Sequence, residues 1–168
     1  FADDTNLFVT GDSLNEVITT SNRSLSSLKS WFDANKLTLN LDKTCFTVFT
    51  NSKIPQTISL ECENTEIEMV YATKYLGVHL DQSLSFNVHI DHICKTLKKL
   101  YSVMYHISKF ITTTDHIQRI YYAYVFPHIK YGIELYGMTC SKNLKKVQVS
   151  QNRILKILCN KKQRDSST

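Results

Sequence analysis

The stretch FADDTNLF places two carboxylates, Asp3 and Asp4, side by side between apolar residues. Adjacent carboxylates on a turn form a hard, oxygen-only ligand set. That set suits Mg²⁺, which keeps several waters and is usually shared with substrate phosphates. It serves two-metal phosphoryl transfer, in which one ion activates an attacking hydroxyl and the other stabilises the leaving oxygen. The dipeptide alone is unspecific, because Asp is common in turns, where its side chain bonds nearby backbone N–H groups. A second set of chemistry-bearing residues lies far downstream. Lys95, Lys98 and Lys99 form one basic cluster; Lys142, Lys145, Lys146, Arg153 and Lys156 form another. Such side chains on exposed helix faces follow a phosphate backbone and bind it with strong salt dependence. Tyr101, Tyr105, Tyr121, Tyr122 and Tyr124 could stack on bases, although packing in a core is the commoner role of tyrosines at helical spacing. His89 and His92 share a helix face that Cys94 does not join, and no second cluster completes four ligands, so zinc is a poor expectation. No Gly-x-Ser-x-Gly elbow is present for a serine hydrolase.

The elements that hold these residues follow from periodicity. Phe1 to Thr10 reads as a turn and then a strand, with NLFVT supplying apolar and β-branched residues. Ser13 and Glu16 have the spacing of a capping box. Leu14, Val17, Ile18, Ser21, Leu25, Leu28 and Phe32 then follow a helical period to about Asn35. Leu37, Leu39 and Leu41 alternate with polar residues, as do Phe46 and Val48, which predicts strands broken near Asp42-Lys43. TISLECENTEIEMV reads as a hairpin turning near Glu63-Asn64, and TKYLGVHLD as a strand with Gly77 inside it. After Asp81 the period changes. Phe86, Ile90, Ile93, Leu97, Leu100, Met104 and Ile107 lie on one face of a long helix. A second helix places Ile117, Ile120, Tyr124 and Ile129 inward and is kinked or ended by Pro127. A third begins near Ser141, with Leu144, Val147, Gln151, Ile154, Leu155 and Leu158 on one face.

Charge changes where periodicity changes. Residues 1–81 carry six Lys/Arg against eleven Asp/Glu, a balance of −5, whereas residues 82–168 carry fourteen against four, a balance of +10. The coincidence divides the 168 residues into two subdomains, and a basic, Tyr-rich half points to a polyanion such as nucleic acid. With 42% hydrophobic and 21% charged residues the chain can bury a core. It has no apolar run long enough for a membrane span and no signal peptide. The five cysteines are scattered without a CxxC pair. They read as reduced thiols of an intracellular protein, nuclear or cytoplasmic and not secreted.

FADD, NKLTLNLDKTCFTVF, KYLGVHLD, PHIKYGIELYG and LKKVQVSQNRILKIL, in that order and spacing, resemble the C-terminal part of a non-LTR (LINE-like) retrotransposon reverse transcriptase. The resemblance covers nearly the whole chain. It implies an α+β fold: an incomplete polymerase palm over residues 1–81, of antiparallel strands with one packed helix, followed by a three-helix thumb bundle over 82–168. It makes Asp3 and Asp4 the palm carboxylates, with Phe1 where Tyr is more usual. Lys43 matches a lysine near the incoming nucleotide's phosphates, where a cation offsets developing negative charge; a solvated turn lysine is the alternative. Leu76 and Gly77 match the primer grip, and Gly77 would admit close approach of the primer strand. The basic helices would grip the duplex. The implied partners are an RNA template, a DNA primer and deoxynucleotides, with no membrane, and the implied cofactor is Mg²⁺, two ions in the complete enzyme.

The family draws a third carboxylate from an earlier palm strand, and nothing here precedes Phe1. Phe1 therefore reads as a cut edge, and the expectation is a polymerase fragment that does not synthesise DNA by itself. The alternative is a non-catalytic nucleic-acid-binding module derived from such an element.

Overall fold

A computed structural model describes residues 5–50, 58–110 and 113–159. The first compact unit ends at Tyr71 and the second starts at Ala72.

In the first unit, helix α1 (Leu14–Ala34) begins at Ser13, whose hydroxyl accepts the Glu16 N–H at 3.3 Å. The Glu16 carboxylate turns back to accept the Asp12 N–H at 3.0 Å, so the box closes one residue before the cap. The helix stops at Asn35, and Lys36 takes a left-handed φ of 58°. Ile18 and Leu25 of α1 pack on a small core of Leu60, Cys62 and Ile67, and the small Ser21 is buried on the same helix. That core belongs to a sheet of β1 (Cys45–Phe46), β2 (Leu60–Cys62) and β3 (Thr65–Met69), in the order β1-β3-β2. β2 and β3 pair antiparallel through a hairpin whose tip residues Glu63 and Asn64 both have positive φ, 51° and 62°. Both residues left-handed is the tip conformation whose twist suits the flanking strands. β1 pairs parallel with β3, since the chain reverses direction on entering β2 and again on entering β3.

Two expected strands are not ladders. Among the described residues, Asn6 to Thr10 pairs with no strand, and the Leu37–Leu41 alternation yields no pairing before Cys45. Leu39 and Leu41 nevertheless pack on the Leu60–Ile67 core. Alternation records burial on one side, and an unpaired extended segment satisfies it as well as a ladder does. Residues Leu41–Lys43 wind into a 3-10 turn capped by Asn40.

The second unit opens with an antiparallel hairpin of β4 (Ala72–Tyr75) and β5 (Val78–Asp81), followed by α2 (Asn87–Ser108). Then come α3 (Thr114–Ile120), a π-helical turn (Tyr121–Val125), α4 (Phe126–Lys130), α5 (Ile133–Tyr136) and α6 (Ser141–Leu158). Ile90, Ile93, Leu97 and Met104 of α2 meet Val147, Ile154 and Leu158 of α6, with Tyr121, Val125, Ile129 and Tyr136 completing the core. α2 and α6 start at the same end: the Asn143 amide donates to Asn87 at 2.6 Å, and Lys146 reaches Asp91 at 2.9 Å. The π turn is the response to Pro127. Proline cannot donate to the carbonyl four residues back and its ring crowds that carbonyl; the widened turn, with the Phe126 N–H reaching Tyr121, makes room. It also changes the phase of the helix, so Tyr121 and Val125 are buried while Tyr124, expected inside, is exposed. The fold class is α+β. The hairpin carrying Leu76 and Gly77 lies in the helical unit.

Candidate functional site

Asp3 and Asp4 lie outside the described residues. Lys43 ends the 3-10 turn, its N–H donating to the Asn40 side chain at 3.2 Å, and its own side chain is exposed. Among the described residues its ammonium has no ion-pair partner, and no group of three or more His, Cys, Asp or Glu could hold a metal ion.

TKYLGVHLD is not the single strand expected with Gly77 inside it: Leu76 and Gly77, with φ of 44° and 83°, form the two-residue tip between β4 and β5. A tip with both residues left-handed normally carries Asn-Gly, because a γ-branched side chain gains nothing locally to offset the strain. Leu76 is nevertheless 68% exposed. An apolar side chain held in a strained conformation and turned to solvent is a feature of contact sites.

The basic residues line helix faces. Lys142, Lys145 and Arg153 are exposed on α6, Lys156 is half-buried, and Lys146 pairs with Asp91. Between α6 and α2 runs an open groove of about 440 Å³ lined by Cys94, Lys142, Lys145, Lys146, Val149 and Ser150. Lys95 and Lys98 follow Asp91 and Cys94 by one helical turn, so the basic face continues from α6 onto α2. Lys99 is exposed beside them. The tyrosines divide. Tyr121 is buried, accepting from the Gln151 amide at 2.5 Å, and Tyr101 packs against the core. Tyr105, Tyr122 and Tyr124 are exposed.

Sequence reasoning passed over the support beneath the hairpin. The Asp81 carboxylate is fully buried and accepts the Ser83 hydroxyl at 2.9 Å, the Ser85 N–H at 2.8 Å and the Ser85 hydroxyl at 3.1 Å. Burial alone would raise its pKa, but these hydrogen bonds outweigh burial and hold it below the usual carboxylate range. Serines two and four residues after an aspartate were the available signal. Next to it, His89 is 3% exposed and its Nδ1 accepts the His79 N–H at 3.3 Å. Burial first, then the neighbouring His79 and His92, lowers its pKa from 6.5 to about 4. His79 is lowered too, by burial, His92 and Lys74.

A depressed histidine pKa means that the native state binds fewer protons than the unfolded chain. The stability it confers is therefore full above 6.5 and is lost as pH falls towards 4. The helical unit should lose about 2 kcal/mol between pH 7 and 4.5 from His89. His89→Asn, which keeps an acceptor near the Nδ1 position but cannot titrate, should flatten urea midpoints measured across that range. An unchanged slope in the variant would assign the acid sensitivity elsewhere.

Over 163 residues the chain is 29% identical to the probable RNA-directed DNA polymerase from transposon BS of Drosophila melanogaster, covering 94% of this chain and 18% of that protein. Its curated homologues are non-LTR retrotransposon RNA-directed DNA polymerases. A second relative, the RNA-directed DNA polymerase from mobile element jockey of Drosophila funebris, is 25% identical over 93% of this chain and 17% of its own length. A third, the probable RNA-directed DNA polymerase from transposon X-element of Drosophila melanogaster, is 28% identical over 68% of this chain and 12% of its own length. The chain thus spans less than a fifth of these polymerases. No protein-family model matches the sequence, and no solved structure matches the chain. Among the described residues no helix is long and apolar enough to cross a membrane.

Proposed function

We propose that these 168 residues are part of the RNA-directed DNA polymerase of a non-LTR retrotransposon. Residues 1–81 form the end of its palm and 82–168 its thumb. The observation that carries the reading is the likeness to such polymerases over 94% of the chain. In the proposed reaction a primer 3′-hydroxyl attacks the α-phosphate of a deoxynucleotide. A phosphodiester bond forms, the bond to the β-phosphate breaks and pyrophosphate leaves. Two adjacent carboxylates are a hard donor pair that fits Mg²⁺. Asp3 and Asp4 would hold it, and the ion would supply activation of the hydroxyl and stabilisation of the leaving oxygen. Lys43, exposed and without an ion pair among the described residues, would neutralise charge on the phosphates. The thumb would bind the template–primer duplex through its backbone, with Lys95, Lys98, Lys99, Lys142, Lys145, Lys146, Arg153 and Lys156 along the two helix faces.

Binding is the first thing to measure. Fluorescence anisotropy of an RNA–DNA template–primer should give affinity that falls steeply with salt, with a log–log slope of about −4. Replacing Lys142, Lys145 and Arg153 together by Glu should weaken binding about 100-fold at low salt and flatten the slope by about 3. These side chains are exposed, so the thermal midpoint should hardly move. Affinity indifferent to salt and to the triple reversal would overturn the reading of the helical unit as a thumb.

A further inference from the structure

The strained Leu76–Gly77 tip does not stand alone. The Tyr131 hydroxyl, from the end of α4, donates to the Leu76 carbonyl at 2.5 Å. The edge of the same ring covers Gly77, where an added Cβ would come within 3.0 Å of Tyr131 Cε1. The next residue repeats the arrangement in reverse: Gly132 has φ of 70°, and a Cβ there would meet Val78 Cγ2 at 3.0 Å. Each segment thus offers a glycine to a side chain of the other. Two turns 55 residues apart in sequence are docked backbone against side chain, and one hydrogen bond fixes the peptide orientation at the tip. Without that bond no hydrogen bond from Tyr131 offsets the left-handed φ of 44° at Leu76.

We propose that Tyr131 is the positioning residue of the Leu76–Gly77 turn, holding its exposed Leu76 and bare backbone in the one geometry that meets the 3′ end of a primer. The role in presenting the turn rests on the polymerase reading above; the bracing itself does not. Tyr131 touches the turn and not the reacting atoms, so it acts on where the primer end sits. Bulk affinity comes from the lysine faces and is left to them.

Two measurements on Tyr131→Phe keep the two parts separate. The first needs no nucleic acid. Amide hydrogen exchange at Gly77 and Val78 should speed up about tenfold relative to the α2 core amides, as expected for one lost hydrogen bond. Gly77→Ala should do the same through its left-handed φ and the crowding by Tyr131. Unchanged exchange in Tyr131→Phe would overturn the brace, whatever the chain binds. The second uses a template–primer with 2-aminopurine at the primer 3′ end and an anisotropy label at the far end of the duplex. The variant should change affinity by less than about twofold, while the 2-aminopurine signal change on binding falls by at least half. An equal loss in both readouts would make Tyr131 a merely structural residue. Faster exchange with an unaltered 3′-end signal would keep the brace and remove its link to the primer. Failure of the unmodified chain to bind the duplex at all would overturn the polymerase reading.

Discussion

Asp3→Asn should lower nucleotide incorporation by at least about a thousandfold, the several kcal/mol that metal ligation contributes to a phosphoryl-transfer transition state. The setting for this experiment is a polymerase polypeptide in which these 168 residues replace the matching stretch of a transposon relative. Asp4→Asn should also be severe, and less so if Asp3 is the more direct ligand. Asn keeps the shape and one acceptor oxygen but removes the charge that a hard dication requires. Template–primer affinity should survive or rise slightly, because a negative charge near phosphates has been removed. That split between incorporation and binding separates the two functional readings. In a non-catalytic module, both substitutions leave everything unchanged except the small electrostatic gain. The 168 residues alone should give no Mg²⁺-dependent primer extension. Extension by them would show that two carboxylates suffice and that the third is dispensable.

That prediction rests on residues legible in the sequence and lying outside the described structure. Elsewhere the reverse holds. Helical faces were the most legible part, because a 4-3 spacing of large apolar residues admits few arrangements: Ile90, Ile93, Leu97 and Met104 are all buried as the spacing predicts. The Glu63–Asn64 tip was legible from two turn-forming residues between strands. Periodicity failed where something other than the local repeat decides the outcome. Tyr124, expected inside, is exposed because the π turn before Pro127 shifts the phase of the helix. Leu37 to Leu41 alternate like a strand and pair with none among the described residues, since burial, not pairing, is what alternation encodes. The bracing of Leu76 by Tyr131 spans 55 residues and leaves no periodic trace. The basic clusters were visible as composition, but the pairing of Lys146 with Asp91 is a property of how α2 and α6 run side by side.

Asp81→Ala should cost the helical unit about 4 kcal/mol, a loss of the size expected for truncating a large core side chain. The carboxylate, itself without solvent exposure, gathers three donors from the exposed Ser83 and the half-buried Ser85. Removing it strands the Ser85 N–H, which cannot turn elsewhere, and leaves two hydroxyls to find new acceptors. Each buried donor left unpaired costs about 1–3 kcal/mol. The loop it organises is itself strained, with Leu84 and Phe86 left-handed at φ of 51° and 58°. Phe86 is the residue just before α2, and no side-chain cap supports that helix end. Ser85 in turn accepts the Thr139 hydroxyl at 2.8 Å, which ties the loop to the segment before α6. Asp81 therefore fixes where α2 starts and, through Ser85, where α6 starts relative to it. Asp81→Asn should cost about half as much, because one oxygen still accepts while the amide faces donors. Chemical denaturation followed by circular dichroism gives both values. A loss below about 1 kcal/mol in Asp81→Ala would mean that water replaces the carboxylate without cost. The start of α2 would then be set by its apolar face alone. With the full loss, the two basic helices lose their common origin, and duplex binding should fail in step with unfolding even though no lysine has been touched.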